Sequence, residues 1–121
     1  MASYGFRGAT DAPIVHESWG TLQWLANADA GNVGGLTLGQ VTIFKGRSNP
    51  RHRHNRCEEV LYLLEGRLIH TVGDRTYDMN PGDTLTIPPG VFHNATSTGD
   101  IDALMIVAYD SAERDFEREQ P

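Results

Sequence analysis

Two histidines one residue apart, with a carboxylate close behind, are the residues of this sequence best suited to chemistry. His52 and His54 lie in the segment RHRHNR, and Glu59 follows His54 after four intervening residues. In an extended chain, side chains two residues apart lie on the same face, so both imidazole rings would face one point. Imidazole and carboxylate groups together suit a divalent transition metal. The sequence therefore predicts a metal site on this segment.

The rest of the chain predicts short strands that would position these side chains. Alternating apolar residues are separated by clusters of Gly, Pro, Asn and Asp, which is typical of an antiparallel barrel or sandwich that encloses one small pocket. A helix is expected only in the tail, where Ser111 would cap a short segment with Phe116 as its one large apolar residue. In addition to the strand that carries the two histidines, strands are expected at residues 13–17, 21–26, 36–44, 59–66, 67–72, 75–79, 84–87, 91–96 and 102–109.

Length and composition limit the number of domains and the kinds of partner. The 121 residues fit one compact domain, which we divide into a flexible arm (1–12), a β-barrel (13–110) and a charged tail (111–121). The formal net charge of −6 argues against nucleic acid and does not favour an anionic membrane surface. The longest apolar run, 103–109, is too short to span a bilayer, and the first residues do not resemble a signal peptide. We expect a cytoplasmic protein, and the single cysteine fits a reducing compartment.

Two spaced motifs in this chain resemble those of the cupin superfamily. The first motif places H-x-H and a glutamate between two glycines, and it is met by Gly46, His52, His54, Glu59 and Gly66. The second motif is met by Gly82, Pro88, Gly90 and His93, whereas its final asparagine is replaced by Ser97. Since that asparagine is not a metal ligand in the family, the replacement concerns a hydrogen bond at a strand end.

The resemblance implies a fold, a cofactor and a ligand set. The implied fold is all-β, an antiparallel double-stranded β-helix or jelly-roll barrel, to which the residues add the short C-terminal helical tail. By resemblance, His52, His54, Glu59 and His93 bind one divalent transition metal per chain, with Fe, Mn, Ni, Zn, Cu and Co all compatible. Three neutral imidazoles and one carboxylate leave one or two positions open for water or substrate, which is typical of a catalytic metal. The spacing to Gly66 selects Glu59 over Glu58, whose side chain is expected to point to solvent.

The expected function is that of a metal-dependent enzyme acting on a small, oxygen-rich metabolite. Cupins that resemble this chain catalyse dioxygenase-type oxidation as well as isomerase, epimerase and lyase reactions. The alternative is a non-catalytic cupin that binds or senses a small ligand. Sensor cupins usually carry a helical DNA-binding domain, for which this chain has no room. By resemblance we expect a homodimer that forms through the segment 14–26.

Several other residues near the metal motifs are weaker candidates. Cys57 has no assignable base, so packing as a small apolar residue is favoured over a nucleophilic role. His70 is a candidate second base beside the metal, although an exposed or cross-strand-paired histidine is favoured. The catalytic residue that transfers a proton is not assigned. Four arginines either steer an anionic substrate or form a solvated, salt-bridged rim, and we favour the rim: Arg47, Arg51, Arg53 and Arg56.

Overall fold

The computed structural model describes residues 5–31 and 34–121, and in these residues the chain forms two antiparallel β-sheets and no helix. Strands form where apolar and polar residues alternate, because such segments bury one face of a pleated sheet. In chain order the strands are β1 (Ile14–Glu17), β2 (Gly20–Ala26), β3 (Thr37–Ile43), β4 (His52–Arg53), β5 (Glu59–Glu65), β6 (Leu68–Val72), β7 (Arg75–Met79), β8 (Thr84–Ile87), β9 (His93–Ser97), β10 (Ala103–Tyr109) and β11 (Glu117–Arg118).

The two sheets have six and five strands. The larger sheet has the order β1-β2-β3-β10-β5-β8, and the smaller has the order β11-β4-β9-β6-β7. In β3 and β10 every second side chain is buried, as the period of two requires. One apolar core lies between the sheets and contains Val41, Ile43, Cys57, Leu61, Leu63, Leu68, Met79, Ile87, Ala95, Ala103, Met105, Val107 and Tyr109.

The all-β jelly-roll class predicted from the sequence is confirmed. The strands β7 and β8 have the predicted bounds, and the other long strands differ from the prediction by one or two residues at their ends. Gly73 has a φ of 59° in the hairpin between β6 and β7, a conformation that glycine adopts at little cost. Turn residues therefore set most of the strand boundaries.

The predicted C-terminal helical tail is wrong. Glu117 and Arg118 instead form the short strand β11, which pairs antiparallel with β4. A helix here would have had one large apolar anchor, Phe116, and short helices without an apolar stripe are marginal in water. The tail instead gains backbone pairing and ion pairs with the segment that carries the histidines.

The described part of the N-terminal arm contacts β2. Arg7 Nη1 donates hydrogen bonds to the carbonyl oxygens of Trp24 (3.3 Å) and Leu25 (3.1 Å). Gln23 Nε2 donates to the carbonyl oxygen of Ala12, which is buried. Residues 1–4 of the predicted arm lie outside the described residues, and the division into arm, barrel and tail stays a prediction. No helix of the described residues is long and apolar enough to cross a membrane.

Candidate metal centre

The four predicted ligands are brought together from both sheets. His52 lies on β4, His54 follows that strand, and His93 begins β9, where its Cα is paired with that of His52. Glu59 begins β5 in the other sheet. All four side chains are buried, with exposed fractions of 7% or less. The site therefore lies inside the barrel, where two sheets meet.

Each histidine has its Nδ1 atom beside a backbone carbonyl oxygen. The distances are 2.6 Å from His52 to the oxygen of Pro50, 2.5 Å from His54 to that of Asp115 and 2.9 Å from His93 to that of Val91. A carbonyl oxygen only accepts hydrogen bonds, so each Nδ1 must carry the hydrogen. In a neutral imidazole the lone pair then lies on Nε2. Three separate carbonyl groups thus orient three imidazole lone pairs.

The Nε2 atoms of His54 and His93 converge on the carboxylate of Glu59. Glu59 Oε1 lies 3.2 Å from Nε2 of His54 and 3.2 Å from Nε2 of His93. The three imidazoles each offer a nitrogen within 4.8 Å of the others. These Nε2 atoms of His54 and His93 and the Oε1 atom are buried without a hydrogen-bond partner in the protein. Lone pairs that face one another this closely are compatible with a shared cation, so the three histidines can hold a metal ion.

Burial of this cluster lowers the pKa of one of its imidazoles. Burial, followed by the neighbouring His93, lowers the pKa of His52 to about 3, so the ring is neutral at pH 7. Neutral imidazoles and an ionised carboxylate are the protonation states that bind a metal.

His70 is buried beside the cluster, so of the two interpretations favoured from the sequence the exposed histidine is wrong. The cross-strand-paired histidine agrees with the structure, in which the Cα of His70 pairs with those of Tyr77 and Ala95. The His70 ring stacks on that of His93 at a centroid distance of 5.9 Å. Both of its ring nitrogens are buried without a hydrogen-bond partner in the protein. Burial lowers its pKa to about 4. His70 lies on β6, whose alternation places it on the inner face of the sheet.

A cavity of about 340 Å³ opens onto the histidines. It is lined by His52, Glu59, His70 and His93, and by apolar side chains that include Trp19, Leu22, Val41, Met105 and Val107. This volume suits a small molecule, and apolar walls with a few convergent polar groups are typical of ligand sites.

The C-terminal tail supplies part of this site, which the sequence analysis did not predict. Phe116 stacks on the ring of His52 at 4.7 Å, and Arg114 lines the cavity. The Asp115 carboxylate accepts hydrogen bonds from the backbone N–H groups of Asn55 (2.6 Å) and Arg56 (3.0 Å). No local signal identified these roles, because a charged tail with one aromatic residue resembles a solvated segment.

The other residues singled out from the sequence pack in the core, form ion pairs or face solvent. Cys57 is buried in the core and burial raises the pKa of its thiol, which disfavours the nucleophilic thiolate. Arg51 pairs with Glu119 at 2.8 Å and Arg53 with Glu117 at 2.6 Å, as expected of a salt-bridged rim. Glu58 is exposed, as predicted.

Known proteins share this sequence pattern. The Cupin domain family matches residues 39–109. A probable germin-like protein, subfamily 2 member 5, of Arabidopsis thaliana is 28% identical over 114 residues, which is 88% of this chain and 54% of that protein. Germin-like protein 3-6 of Oryza sativa subsp. japonica is 32% identical over 88 residues, 66% of this chain and 38% of that protein. The chain thus spans about half, or less, of the length of these curated relatives.

Solved structures share the fold. The oxalate decarboxylase of Lactobacillus farciminis, in a formate complex, superposes with a TM-score of 0.83 at 19% identity, covering 89% of this chain and 33% of that chain. A recombinant oxalate oxidase in complex with glycolate superposes with a TM-score of 0.75 at 23% identity, covering 85% and 56%. At these identities the likeness concerns the fold alone. Together with the family match over most of the barrel and the inward-facing histidines, it leads to one conclusion: this chain belongs to the cupin family.

Proposed function

We propose that His52, His54, Glu59 and His93 bind one divalent transition metal per chain, and that the protein is an enzyme acting on a small, oxygen-rich metabolite in the adjoining cavity. The observation that carries this proposal is the convergence of imidazole nitrogens on a buried carboxylate oxygen, with no protein donor between them. An ionised carboxylate without compensation is costly to bury, and a cation would provide that compensation.

The surroundings of the cluster support catalysis more than structural binding. A metal held by this ligand set would supply Lewis acidity to a chelated oxygen atom. His70 faces the same cavity with both ring nitrogens available, so it can exchange a proton or a hydrogen bond with a bound molecule. Burial and the charge of Glu59 raise the pKa of Tyr109 well above its usual value, so its hydroxyl stays protonated and can donate. Apolar walls would limit the entry of water.

The reaction we propose is oxidation of the dioxygenase type, or isomerase or lyase chemistry. Two structural neighbours are an oxalate decarboxylase and an oxalate oxidase, the latter with glycolate bound, so small organic acids are the first compounds to assay. Manganese-loaded and iron-loaded protein would be incubated with such acids while oxygen uptake and products are recorded. Oxygen uptake would favour oxidation of the dioxygenase type. Product formation without oxygen uptake would favour isomerase or lyase chemistry. Ligand binding without any turnover would contradict the enzyme proposal and favour the non-catalytic alternative.

Metal content after saturation with Mn²⁺ and gel filtration tests the site itself. The wild-type chain is expected to retain about one metal ion, and His93→Ala to lose most of it, because removal of one of four ligands typically weakens such a site strongly. His16→Ala is the matched control, since His16 lies exposed on β1, outside the cavity. Equal metal content in wild type and His93→Ala would contradict the proposed ligand set.

We also propose a cytoplasmic homodimer that forms through β1 and β2. β1 is an edge strand of the six-stranded sheet, and its Ile14 and Val15 side chains are 53% and 40% exposed. An edge strand with exposed apolar side chains is a surface on which a second copy can pair. A molar mass equal to that of one chain, measured by light scattering at micromolar concentration, would contradict the dimer.

A further inference from the structure

Arg114, on the tail between β10 and β11, lies among three aromatic rings. Its guanidinium carbon is 4.6 Å from the ring centroid of Trp24, 5.3 Å from that of Phe116 and 5.7 Å from that of Tyr109. A guanidinium that contacts aromatic rings through its flat face keeps the N–H donors at its edge for hydrogen bonds. Arg114 interacts in this way with the Tyr109 hydroxyl, which lowers the pKa of Tyr109 against the effect of burial. Its remaining donors can bind another partner.

No acidic side chain neutralises this guanidinium. Among the described residues, no carboxylate lies within 4 Å of Arg114, and its Nε atom is buried without a hydrogen-bond partner. Of the four acidic side chains of the tail, Glu113 is exposed and forms no ion pair with the described residues, and the other three are engaged elsewhere. Asp115 accepts from backbone N–H groups, Glu117 pairs with Arg53, and Glu119 pairs with Arg51. A partly buried positive charge thus lacks a counter-ion in the protein.

Arg114 lines the same cavity as the histidine cluster. Two of its aromatic neighbours also contact the histidines: the ring of Phe116 lies 4.7 Å from that of His52, and the ring of Tyr109 lies 4.9 Å from that of His54. Phe116 therefore contacts both the guanidinium and His52, and Tyr109 contacts both the guanidinium and His54. A small molecule in the cavity can contact both.

We propose that Arg114 determines substrate specificity by binding a carboxylate of a small organic anion, whose other oxygen atoms face the histidine cluster. The planar guanidinium matches a carboxylate through two parallel hydrogen bonds, which an uncharged group cannot reproduce. The inference deepens the proposed function and rests on it, because the far end of the anion is assigned to the metal site. Apart from Glu59 of the histidine cluster, two other charged residues line the cavity, Glu17 and Arg118, and both are exposed, so solvent screens them more than Arg114.

Two matched pairs of ligands test the inference by calorimetry on the manganese-loaded protein. Glycolate is compared with glycolamide, and succinate with succinamide, so that each pair differs in charge at nearly constant size. We expect at least one acid to bind wild type about tenfold or more tighter than its amide, as the loss of charge-assisted hydrogen bonds implies. Arg114→Gln should remove that preference, and Arg114→Lys should keep part of it. The control Arg118→Gln changes a charge in the same cavity and should leave the preference intact.

The outcomes separate this inference from the metal proposal. Metal content is measured on every variant, and Arg114→Gln should retain the manganese, since Arg114 is not among the proposed ligands. An equal preference in wild type and Arg114→Gln would overturn the role of Arg114. If wild-type protein holds manganese but binds neither acid better than its amide, the proposed recognition of a carboxylate is overturned. This result comes from the wild type alone and needs no variant. Wild-type protein that retains none of manganese, iron, cobalt, nickel, copper and zinc would instead overturn the proposed function.

Discussion

Asp115 connects the tail to the metal cluster. It is not one of the proposed metal ligands, but its replacement is expected to weaken metal binding. Its carboxylate accepts two hydrogen bonds, from the backbone N–H groups of Asn55 and Arg56. Its carbonyl oxygen accepts from Nδ1 of His54 and so orients that ring. Asp115→Ala leaves the carbonyl group in place but removes the two side-chain hydrogen bonds that hold it there.

The size of the effect follows from these contacts. A hydrogen bond to a charged acceptor contributes about 1.5–3 kcal/mol, and for this partly exposed carboxylate we take about 1 kcal/mol each because solvent competes. Loss of both bonds would weaken the tail attachment by about 2 kcal/mol, or about thirtyfold in its equilibrium constant. Groups that orient metal ligands commonly change metal affinity by about tenfold to a hundredfold. We therefore expect Mn²⁺ to bind Asp115→Ala at least about tenfold more weakly.

Competition with a chelator would measure the Mn²⁺ affinity, and trypsin cleavage at Arg114 and Arg118 would report release of the tail. Asp110→Ala is the matched control, because Asp110 accepts one hydrogen bond, from the Glu58 N–H at 2.8 Å, and orients no histidine. Faster cleavage with an unchanged metal affinity would refute the coupling between the tail and His54. Unchanged cleavage would refute the anchoring role of the carboxylate.

Two further predictions concern the stability of the metal-free barrel, measured by urea unfolding. Gly66 and Gly82 both have positive φ angles, 80° and 95°, but a Cβ on Gly66 would lie 2.7 Å from the carbonyl oxygen of Asp102, whereas one on Gly82 would contact nothing within 4 Å. Gly82→Ala should therefore lower the free energy of unfolding by about 1–2 kcal/mol, and Gly66→Ala should lower it clearly more. Equal losses would show that the close approach of the new Cβ to Asp102 is irrelevant. Stability should also fall as the pH falls below 6.5 toward 4, because His52 and His70 have their pKa values lowered to about 3 and about 4 by burial and the unfolded chain binds more protons. The loss would reach about 1.4 kcal/mol per pH unit for each histidine, and a flat profile over this range would contradict the burial of neutral rings.

Local patterns in the sequence determined the architecture of the barrel. Alternation with a period of two depends only on neighbours along the chain, and turn residues such as Gly73 depend on their own backbone angles. The predicted strands and the all-β class follow from these two signals and are confirmed. The convergence of His52, His54, Glu59 and His93 also agrees with the motif spacing, since each side chain lies at a defined position relative to a strand end.

Only the tertiary structure decided what surrounds the histidines. The helix predicted for the tail was wrong because that segment pairs with β4 and forms ion pairs across more than 60 positions of sequence, as between Arg51 and Glu119 (68 positions apart) or Arg53 and Glu117 (64). His70 followed a strand alternation that could be read in either phase, and only the packing of the two sheets placed its ring beside His93. In the sequence Arg114 resembles a solvated arginine, and only the tertiary structure shows its contacts with the rings of Trp24, Tyr109 and Phe116. Periodicity and spacing are local properties that a sequence displays directly, whereas the contacts that shape a cavity arise between distant residues whose proximity exists only after folding.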